Sequence, residues 1–185
     1  MNRCLMSEKD EQIAQRVQNG ETQAFGDLIE RYEGKIYRYA RRFLQEESDI
    51  ADLTQEVFIK AYINIQGFDV HRKFSPWLYR IAHNEFINAI KRRKKEPLPL
   101  FATDVFLPKT LIEMPDDSFD RTELKNKLDK CLNRLDMKYR EPIILYYFEE
   151  LSYQDIADIL HIPTATIGTR LKRGREKLKT IYEQE

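Results

Sequence analysis

Cysteine is scarce in this sequence, which excludes a disulfide framework. Cys4 and Cys131 are the only two cysteines in 185 residues, whereas disulfide-stapled domains carry several pairs at close spacing. Neither stands in a metal-ligand spacing. The three histidines, His71, His83 and His161, lie in different segments and are interpreted as incidental. The sequence therefore predicts no metal or other cofactor and favours the reducing cytoplasm as the location.

Glycine and long apolar runs are lacking as well. The 6 glycines are too few for the tight turns of an all-β sandwich or a doubly wound sheet. No run approaches the roughly 18 apolar residues of a membrane span, and residues 1–12 lack the apolar stretch of a signal peptide. We therefore expect no direct insertion into a membrane. Charged residues make up 34% of the chain, which is typical of helical surfaces.

Apolar residues recur at spacings of three and four along most of the chain, which predicts amphipathic helices. The clearest stripe comprises Phe25, Leu28, Ile29, Tyr32, Ile36, Tyr37, Ala40 and Phe43. Four of the 7 prolines fall instead between residues 96 and 119, where they restrict the chain to extended or turn geometry. The sequence thus predicts an all-α protein of two small helical domains, residues 1–95 and 120–185, joined by the proline-rich linker 96–119.

Hydroxyl residues and prolines mark several helix starts. Ser48 and Ser75 are interpreted as N-caps. Pro76 follows the second and suits the first helical position, because its missing N–H would be unpaired there. A later helix is predicted from about Glu141, with Pro142 in its first turn.

The C-terminal stretch predicts a helix-turn-helix that ends the second domain. Ser152 to Asp155 looks like a capped helix start, with Asp155 in place of the usual Glu. Residues 161–163 form a tight turn, and a longer basic helix follows from Thr164 to about Tyr182. Its expected DNA-facing residues are Thr166, Gly168, Thr169, Arg170, Lys172, Arg173 and Arg175. Gly168 lacks a side chain and is interpreted as permitting close approach to DNA.

Charge is segregated along the chain although its formal net charge is +0. Residues 69–95 hold eight Lys/Arg against two Asp/Glu, and residues 164–179 hold six against one. Residues 46–56 hold five carboxylates and no Lys or Arg. Two basic faces and one acidic face suggest separate partners, with nucleic acid at the basic ones. An ordinary solvated helix surface is the alternative for any single cluster.

Three segments, in order, resemble the extracytoplasmic-function sigma factors of the sigma-70 family. They are residues 52–62 (DLTQEVFIKAY), 74–84 (FSPWLYRIAHN) and 151–157 (LSYQDIA). The resemblance covers nearly the whole chain except the linker and the first few residues. It implies a non-enzymatic subunit that directs core RNA polymerase to specific promoters and initiates transcription. The sequence departs from the family at Gly168, where Lys or Arg is common.

The resemblance also implies a partner for each segment. The helix that contains residues 52–62 would bind core RNA polymerase at the clamp helices of the beta-prime subunit, with the beta subunit as a further contact. The contact residues on this helix would be Asp52, Gln55, Glu56, Phe58, Ile59 and Tyr62. The next helix and the loop before it would bind the minus-ten promoter element through Phe68, Arg72, Lys73, Trp77, Arg80, Asn84, Asn88, Lys91 and Arg92. Of the aromatic residues, Trp77 is expected in the core and Phe68 is the better candidate for stacking on a base. The helix-turn-helix would read the minus-thirty-five element, and an anti-sigma factor is an expected further partner.

Two other protein classes remain open from the residues alone. A stand-alone helix-turn-helix repressor or activator would bind specific DNA without polymerase, but it leaves the motif at 52–62 unexplained. An enzyme acting on nucleic acid would need a metal or nucleophile constellation, and the sequence shows none. Asp52 and Glu56, four residues apart, also fit plain surface carboxylates or an acid–base or metal pair.

Overall fold

The computed structural model describes residues 8–44, 46–95 and 127–184, with the backbone alone for 93–95. Within these ranges the regular structure is helical throughout, which confirms the all-α fold class. The helices are α1 (Asp10–Gln18), α2 (Phe25–Arg41), α3 (Glu47–Asn64), α4 (Phe74–Lys95), α5 (127–133), α6 (Met137–Tyr147), α7 (Tyr153–Leu160) and α8 (Thr164–Glu183). The predicted linker 96–119 lies outside the described residues.

The first domain is built from α1 to α4. Helix α3 packs against both α2 and α4, and Leu28, Ile36, Val57 and Leu78 are fully buried between them. Five residues of the stripe predicted for α2 are buried, and Ile29, Tyr37 and Phe43 are half-buried. Tyr39, outside the predicted stripe, is fully buried, because α2 is covered on a second side as well.

Three predicted helix starts were wrong by two to four residues. Helix α3 begins at Glu47, with Ser48 inside its first turn. Helix α4 begins at Phe74, whose N–H donates to Oε1 of Glu11 in α1 at 2.9 Å. A carboxylate from another helix thus supplies the cap that was assigned to serine. Helix α6 begins at Met137, so Pro142 lies inside it rather than in its first turn.

The second domain contains α5 to α8, and α7 and α8 form the predicted helix-turn-helix. Ser152 accepts a bond from the Asp155 N–H at 3.1 Å, and Asp155 accepts one from the Ser152 N–H at 3.2 Å. The capping box therefore closes with Asp, as predicted. His161 turns the chain in the left-handed conformation, with φ of 54°, and α8 follows from Thr164.

Glycine allows α8 to approach α6 closely. A Cβ built on Gly174 would lie 2.8 Å from Cδ1 of Ile143 and 3.3 Å from Cβ of Tyr139. Both distances are shorter than ordinary van der Waals contact, so a larger residue would push the helices apart. The two domains also pack against each other, mainly through α4 and α7, and their buried apolar residues form one continuous cluster.

Candidate protein and nucleic-acid interfaces

Helix α3 carries an exposed stripe that is acidic at its start and apolar at its end. Asp52 and Gln55 are exposed and Glu56 is half-buried. Further along, Ile59 is 53% exposed and Ile63 is 69% exposed. We define the α3 surface by the residues at this helical spacing, which are Asp52, Gln55, Glu56, Ile59, Tyr62 and Ile63.

Two features of the α3 surface differ from expectation. Phe58 is buried in the first-domain core, because its position on α3 falls beside Val57 and Ala61 rather than on the exposed stripe. Ile63 was missed, although its spacing of four from Ile59 marks it as an apolar residue off the buried face. Both isoleucines expose apolar surface to solvent, which is typical of a protein contact.

Lys60 partly neutralises the acidic charge of the α3 surface. Lys60 Nζ lies 2.5 Å from Oε2 of Glu85, which is buried on α4, and 3.5 Å from Oε1 of Glu56. The hydrogen bond with Glu85 is the main cause that raises the pKa of Lys60. Asp52 therefore carries the freer carboxylate of the two acidic residues on this surface.

The burial of Phe68 and Trp77 is the reverse of what the sequence led us to expect, which was Trp77 in the core and Phe68 free to stack on a base. Phe68 is only 5% exposed and packs edge-to-face on Phe74 at 5.5 Å between centroids. Trp77 lies at 5.1 Å from Phe68 and is half-buried. Phe68 is thus a core residue in this structure, and Trp77 is the ring that reaches the surface.

The remaining minus-ten candidates lie along the outer side of α4 and the loop before it. The exposed residues are Arg72, Lys73, Arg80, Asn84, Asn88, Lys91 and Arg92. Gln18 of α1 holds the start of this loop, because its Nε2 donates to the carbonyls of Ile65 at 2.7 Å and Phe68 at 2.8 Å. Sequence reasoning missed Gln18, since a polar residue at a helix end gives no local sign of such partners. We call the seven exposed residues together with Trp77 the α4 surface.

Helix α8 presents most of its predicted DNA-facing residues to solvent. Thr169, Lys172, Arg173 and Arg175 are exposed, while Thr166, Gly168 and Arg170 are half-buried. Nη1 of Arg175 donates to the hydroxyl of Tyr147 on α6 at 3.3 Å, so Arg175 leans toward α6. The outward direction expected for Gly168 is corrected, because a Cβ there would point at the Tyr153 ring, 3.6 Å away.

His83, interpreted as incidental from the sequence, lies between the two domains. Its Nδ1 is 2.6 Å from Oε1 of Glu141 on α6, and the Tyr39 hydroxyl donates to the same oxygen at 2.6 Å. The Tyr79 hydroxyl donates to Glu149. Burial is the first cause that raises the pKa of Tyr39, of Tyr79 and of Glu149.

A polar cleft of about 470 Å³ separates the α4 surface from the helix-turn-helix. Arg72 and Arg80 line one wall, and Gln154, Asp158 and His161 line the other. Among the described residues no group of His, Cys, Asp and Glu could hold a metal ion. No helix in the described part of the chain is long and apolar enough to cross a membrane.

Family comparisons match both domains. Sigma-70 region 2 matches residues 28–96, and Sigma-70, region 4 matches residues 125–178. The first match therefore includes the α3 and α4 surfaces, and the second includes the helix-turn-helix.

Similar proteins align over nearly their full length. The chain is 39% identical over 171 residues to the ECF RNA polymerase sigma factor SigW of Bacillus subtilis, covering 89% of this chain and 91% of that protein. It is 31% identical over 183 residues to the ECF RNA polymerase sigma-E factor of Escherichia coli K12, covering 94% and 95%.

Solved structures show the same fold. CnrH, in complex with the cytosolic domain of CnrY, superposes with a TM-score of 0.72 at 25% identity, covering 96% of this chain and 99% of that chain. The sigma factor RpoE of Bartonella quintana, in complex with the anti-sigma factor NepR, superposes with a TM-score of 0.69 at 24% identity, covering 86% and 96%.

Proposed function

The chain belongs to the extracytoplasmic-function sigma factors of the sigma-70 family and is an alternative sigma factor that directs core RNA polymerase to specific promoters; we propose which of its surfaces contacts each partner. The observation that carries this assignment is the presence, in one chain, of the region 2 match and of a region 4 match that falls on the helix-turn-helix. We assign residues 1–95 to the region 2 domain, 96–119 to a linker and 120–185 to the region 4 domain.

The α3 surface is the proposed contact with core polymerase, at the beta-prime subunit. Its support is the combination of exposed apolar area at Ile59 and Ile63 with an exposed carboxylate at Asp52. Interfaces typically join an apolar centre to a charged rim that steers association. Phe58 is left out of this contact because it is buried.

The α4 surface is the proposed contact with the minus-ten element. Arg80, Asn84 and Asn88 follow one another at helical spacing on its exposed side. Arginine can hold phosphates, and asparagine can hydrogen-bond base edges. Trp77 replaces Phe68 as the ring placed to stack on an unpaired base, since Phe68 would first have to leave the core.

The exposed face of α8 is the proposed contact with the minus-thirty-five element. Thr169, Lys172 and Arg173 would face base edges in the major groove. Arg175 would hold a phosphate, and its bond to Tyr147 orients the guanidinium away from the groove face. Gly168 is left out of this contact, because a Cβ there would point at the Tyr153 ring of α7, 3.6 Å away.

We also propose a regulatory partner and a cellular location for this chain. We infer that an anti-sigma factor binds this chain, because the superposable sigma factor RpoE was solved with the anti-sigma factor NepR. The superposable CnrH was likewise solved with a protein partner, the cytosolic domain of CnrY. The chain would act in the cytoplasm, where polymerase and chromosome are. It would catalyse no reaction itself, since the family's role is to guide the polymerase that does.

Transcription by purified core polymerase tests the proposed function. Core enzyme is incubated with fragmented genomic DNA of the source cell, with and without the chain, and the 5′ ends of the transcripts are sequenced. We expect a small set of start sites that appears only with the chain and shares two upstream sequence elements. The same start sites without the chain, or none with it, would contradict the proposal and favour a stand-alone DNA-binding regulator.

A further inference from the structure

Helix α1 holds both ends of the loop that precedes α4. At the start of the loop, Nε2 of Gln18 donates to the carbonyl oxygens of Ile65 at 2.7 Å and Phe68 at 2.8 Å. At the end of the loop, Oε1 of Glu11 accepts the N–H of Phe74 at 2.9 Å. We call Glu11 and Gln18 the α1 clamp, because these two side chains fix the backbone on either side of the loop.

The α1 clamp has a fixed length. Glu11 and Gln18 are seven residues apart, so they lie on the same side of α1, two turns and about 10 Å apart along its axis. Between them, Ile13 and Ala14 are fully buried and Val17 is 3% exposed, which anchors α1 in the core of the first domain. A rigid, buried helix therefore sets the distance between the two ends of the loop.

The residues between the two attachment points form an exposed turn. We call residues 69–73 the clamped loop; Asp69, His71, Arg72 and Lys73 in it are exposed. The His71 N–H donates to Oδ1 of Asp69 at 3.0 Å, and the Arg72 N–H donates to the Asp69 carbonyl at 2.9 Å. These bonds shape the turn from within, while the α1 clamp fixes where the turn stands on the domain.

The α1 clamp also supports the exposed ring of the α4 surface. Phe68 and Phe74, whose backbones the clamp holds, are both buried. The Trp77 ring lies against them, with centroid distances of 5.1 Å to Phe68 and 5.4 Å to Phe74. The position of Trp77, like that of the clamped loop, therefore depends on α1.

We propose that Glu11 and Gln18 are positioning residues for promoter recognition: without contacting DNA, they hold the clamped loop and Trp77 in the arrangement that discriminates between bases of the minus-ten element. The inference rests on the proposed function of the α4 surface. Helix α1 lies before residues 28–96, which match Sigma-70 region 2. Base discrimination needs donors and acceptors at fixed positions, whereas attraction between cations and phosphates does not. Loss of the clamp should therefore lower selectivity and spare sequence-independent affinity.

Four substitutions separate the hydrogen bonds of the clamp from charge and from helix stability. Gln18→Met keeps a side chain of similar length and removes the amide donor. Glu11→Ala removes the acceptor for the Phe74 N–H, while Glu11→Gln removes the same charge and keeps an oxygen that can accept this bond. The control is Gln15→Met, which makes the Gln-to-Met change at an exposed position of the same helix.

Binding by the holoenzyme measures selectivity. Each full-length variant is assembled with core polymerase, and its affinity is measured for single-stranded oligodeoxynucleotides. They carry the non-template minus-ten sequence of a start site that depends on the chain, and every single-base change of it. We expect the parent, Gln15→Met and Glu11→Gln to discriminate by about 5- to 150-fold at the most selective base. Each hydrogen bond lost in Gln18→Met or Glu11→Ala should reduce that ratio by about 2- to 10-fold.

The loss should fall on the preferred sequence alone. Oligonucleotides with a mismatched base should keep their affinity and their salt dependence, because the cations of the α4 surface remain. In the free chain, the amides of residues 69–73 should exchange hydrogen faster in Gln18→Met and Glu11→Ala than in Gln15→Met. Circular dichroism checks that each variant is folded, and the comparison of Glu11→Ala with Glu11→Gln decides the matter if Gln18→Met is not.

Three results would overturn the inference. Selectivity equal to that of the parent in both Gln18→Met and Glu11→Ala would show that the clamp does not position the loop. An equal loss of affinity for every oligonucleotide, or no rescue by Glu11→Gln, would reduce α1 to a stabilising element. A parent that initiates at specific sites without any minus-ten base preference would remove the role of the α4 surface and the inference with it. Failure of the proposed function itself is distinct, since no start site would then depend on the chain.

Discussion

The glycine at the contact between α8 and α6 gives a sharp prediction about stability. Gly174→Ala adds a Cβ that would lie 2.8 Å from Cδ1 of Ile143 and 3.3 Å from Cβ of Tyr139. Ile143 is buried and β-branched, so its side chain has little freedom to move away. The matched substitution is Gly168→Ala on the same helix, whose new Cβ would meet only Tyr153, at 3.6 Å.

Two opposing contributions set the expected size of the effect. Alanine is favoured over glycine inside a helix by about 1 kcal/mol, and this gain is common to both positions. Overpacking a well-packed core costs about 1–3 kcal/mol, and it applies only at Gly174. We therefore expect Gly168→Ala to raise the free energy of unfolding by up to about 1 kcal/mol. Gly174→Ala should be about 1–3 kcal/mol less stable than Gly168→Ala.

Urea unfolding measures both variants. Far-UV circular dichroism follows all helices, while the fluorescence of Trp77, the single tryptophan, follows the first domain and separates its transition. Gly174→Ala combined with Ile143→Val removes the clashing Cδ1, so a double-mutant cycle should show a favourable coupling. Equal stabilisation by both glycine substitutions, with no coupling to Ile143, would refute the close-approach argument.

Three further predictions concern binding and ionisation. Asp52→Asn with Glu56→Gln should weaken association with core polymerase in a salt-dependent way, measured by binding kinetics, because rim charges act mainly on the association rate. Arg173→Ala should cost about 1–3 kcal/mol at one minus-thirty-five base, whereas Arg175→Ala should weaken all sequences alike and lower the salt slope by about one, measured on single-base promoter variants. Burial raises the pKa of Tyr79, so its contribution to stability is present below the ordinary tyrosine pKa of about 10 and is lost as pH rises further. A tyrosinate absorbance titration should show Tyr79 ionising after the exposed tyrosines, together with loss of the domain contact.

Each of these has a control and a contrary outcome. For polymerase, Asp27→Asn with Glu30→Gln changes two exposed carboxylates of α2; equal effects would show that overall charge matters rather than the α3 surface. For DNA, a uniform loss with Arg173→Ala would make that residue a phosphate contact. In the titration, Tyr79→Phe should lower the absorbance change of the late-ionising tyrosines; a loss from the early part of the curve instead would place Tyr79 among the exposed tyrosines.

Local sequence signals determined the helical character of the chain, the two clusters of basic residues at 69–95 and 164–179, and the helix-turn-helix. The capping box at Ser152 was predictable because both of its partners lie within three residues of each other. The contact residues expected on α3 followed from the resemblance of residues 52–62 to a known family; of these Phe58 is buried, and the exposed Ile63 was missed. A motif of short range carries its own partners, so the sequence alone suffices to place it.

Tertiary structure decided the features whose partners are distant in the chain. The cap of α4 comes from Glu11, 63 residues before Phe74, and Tyr39 meets Glu141 across 102 residues. Helical spacing placed Tyr37 on the predicted stripe and gave no sign that Tyr39 is buried, because the contact that buries Tyr39 comes from another domain. Burial and hydrogen-bond satisfaction are set by whatever packs opposite, and only the folded chain brings those groups within a few ångströms of each other.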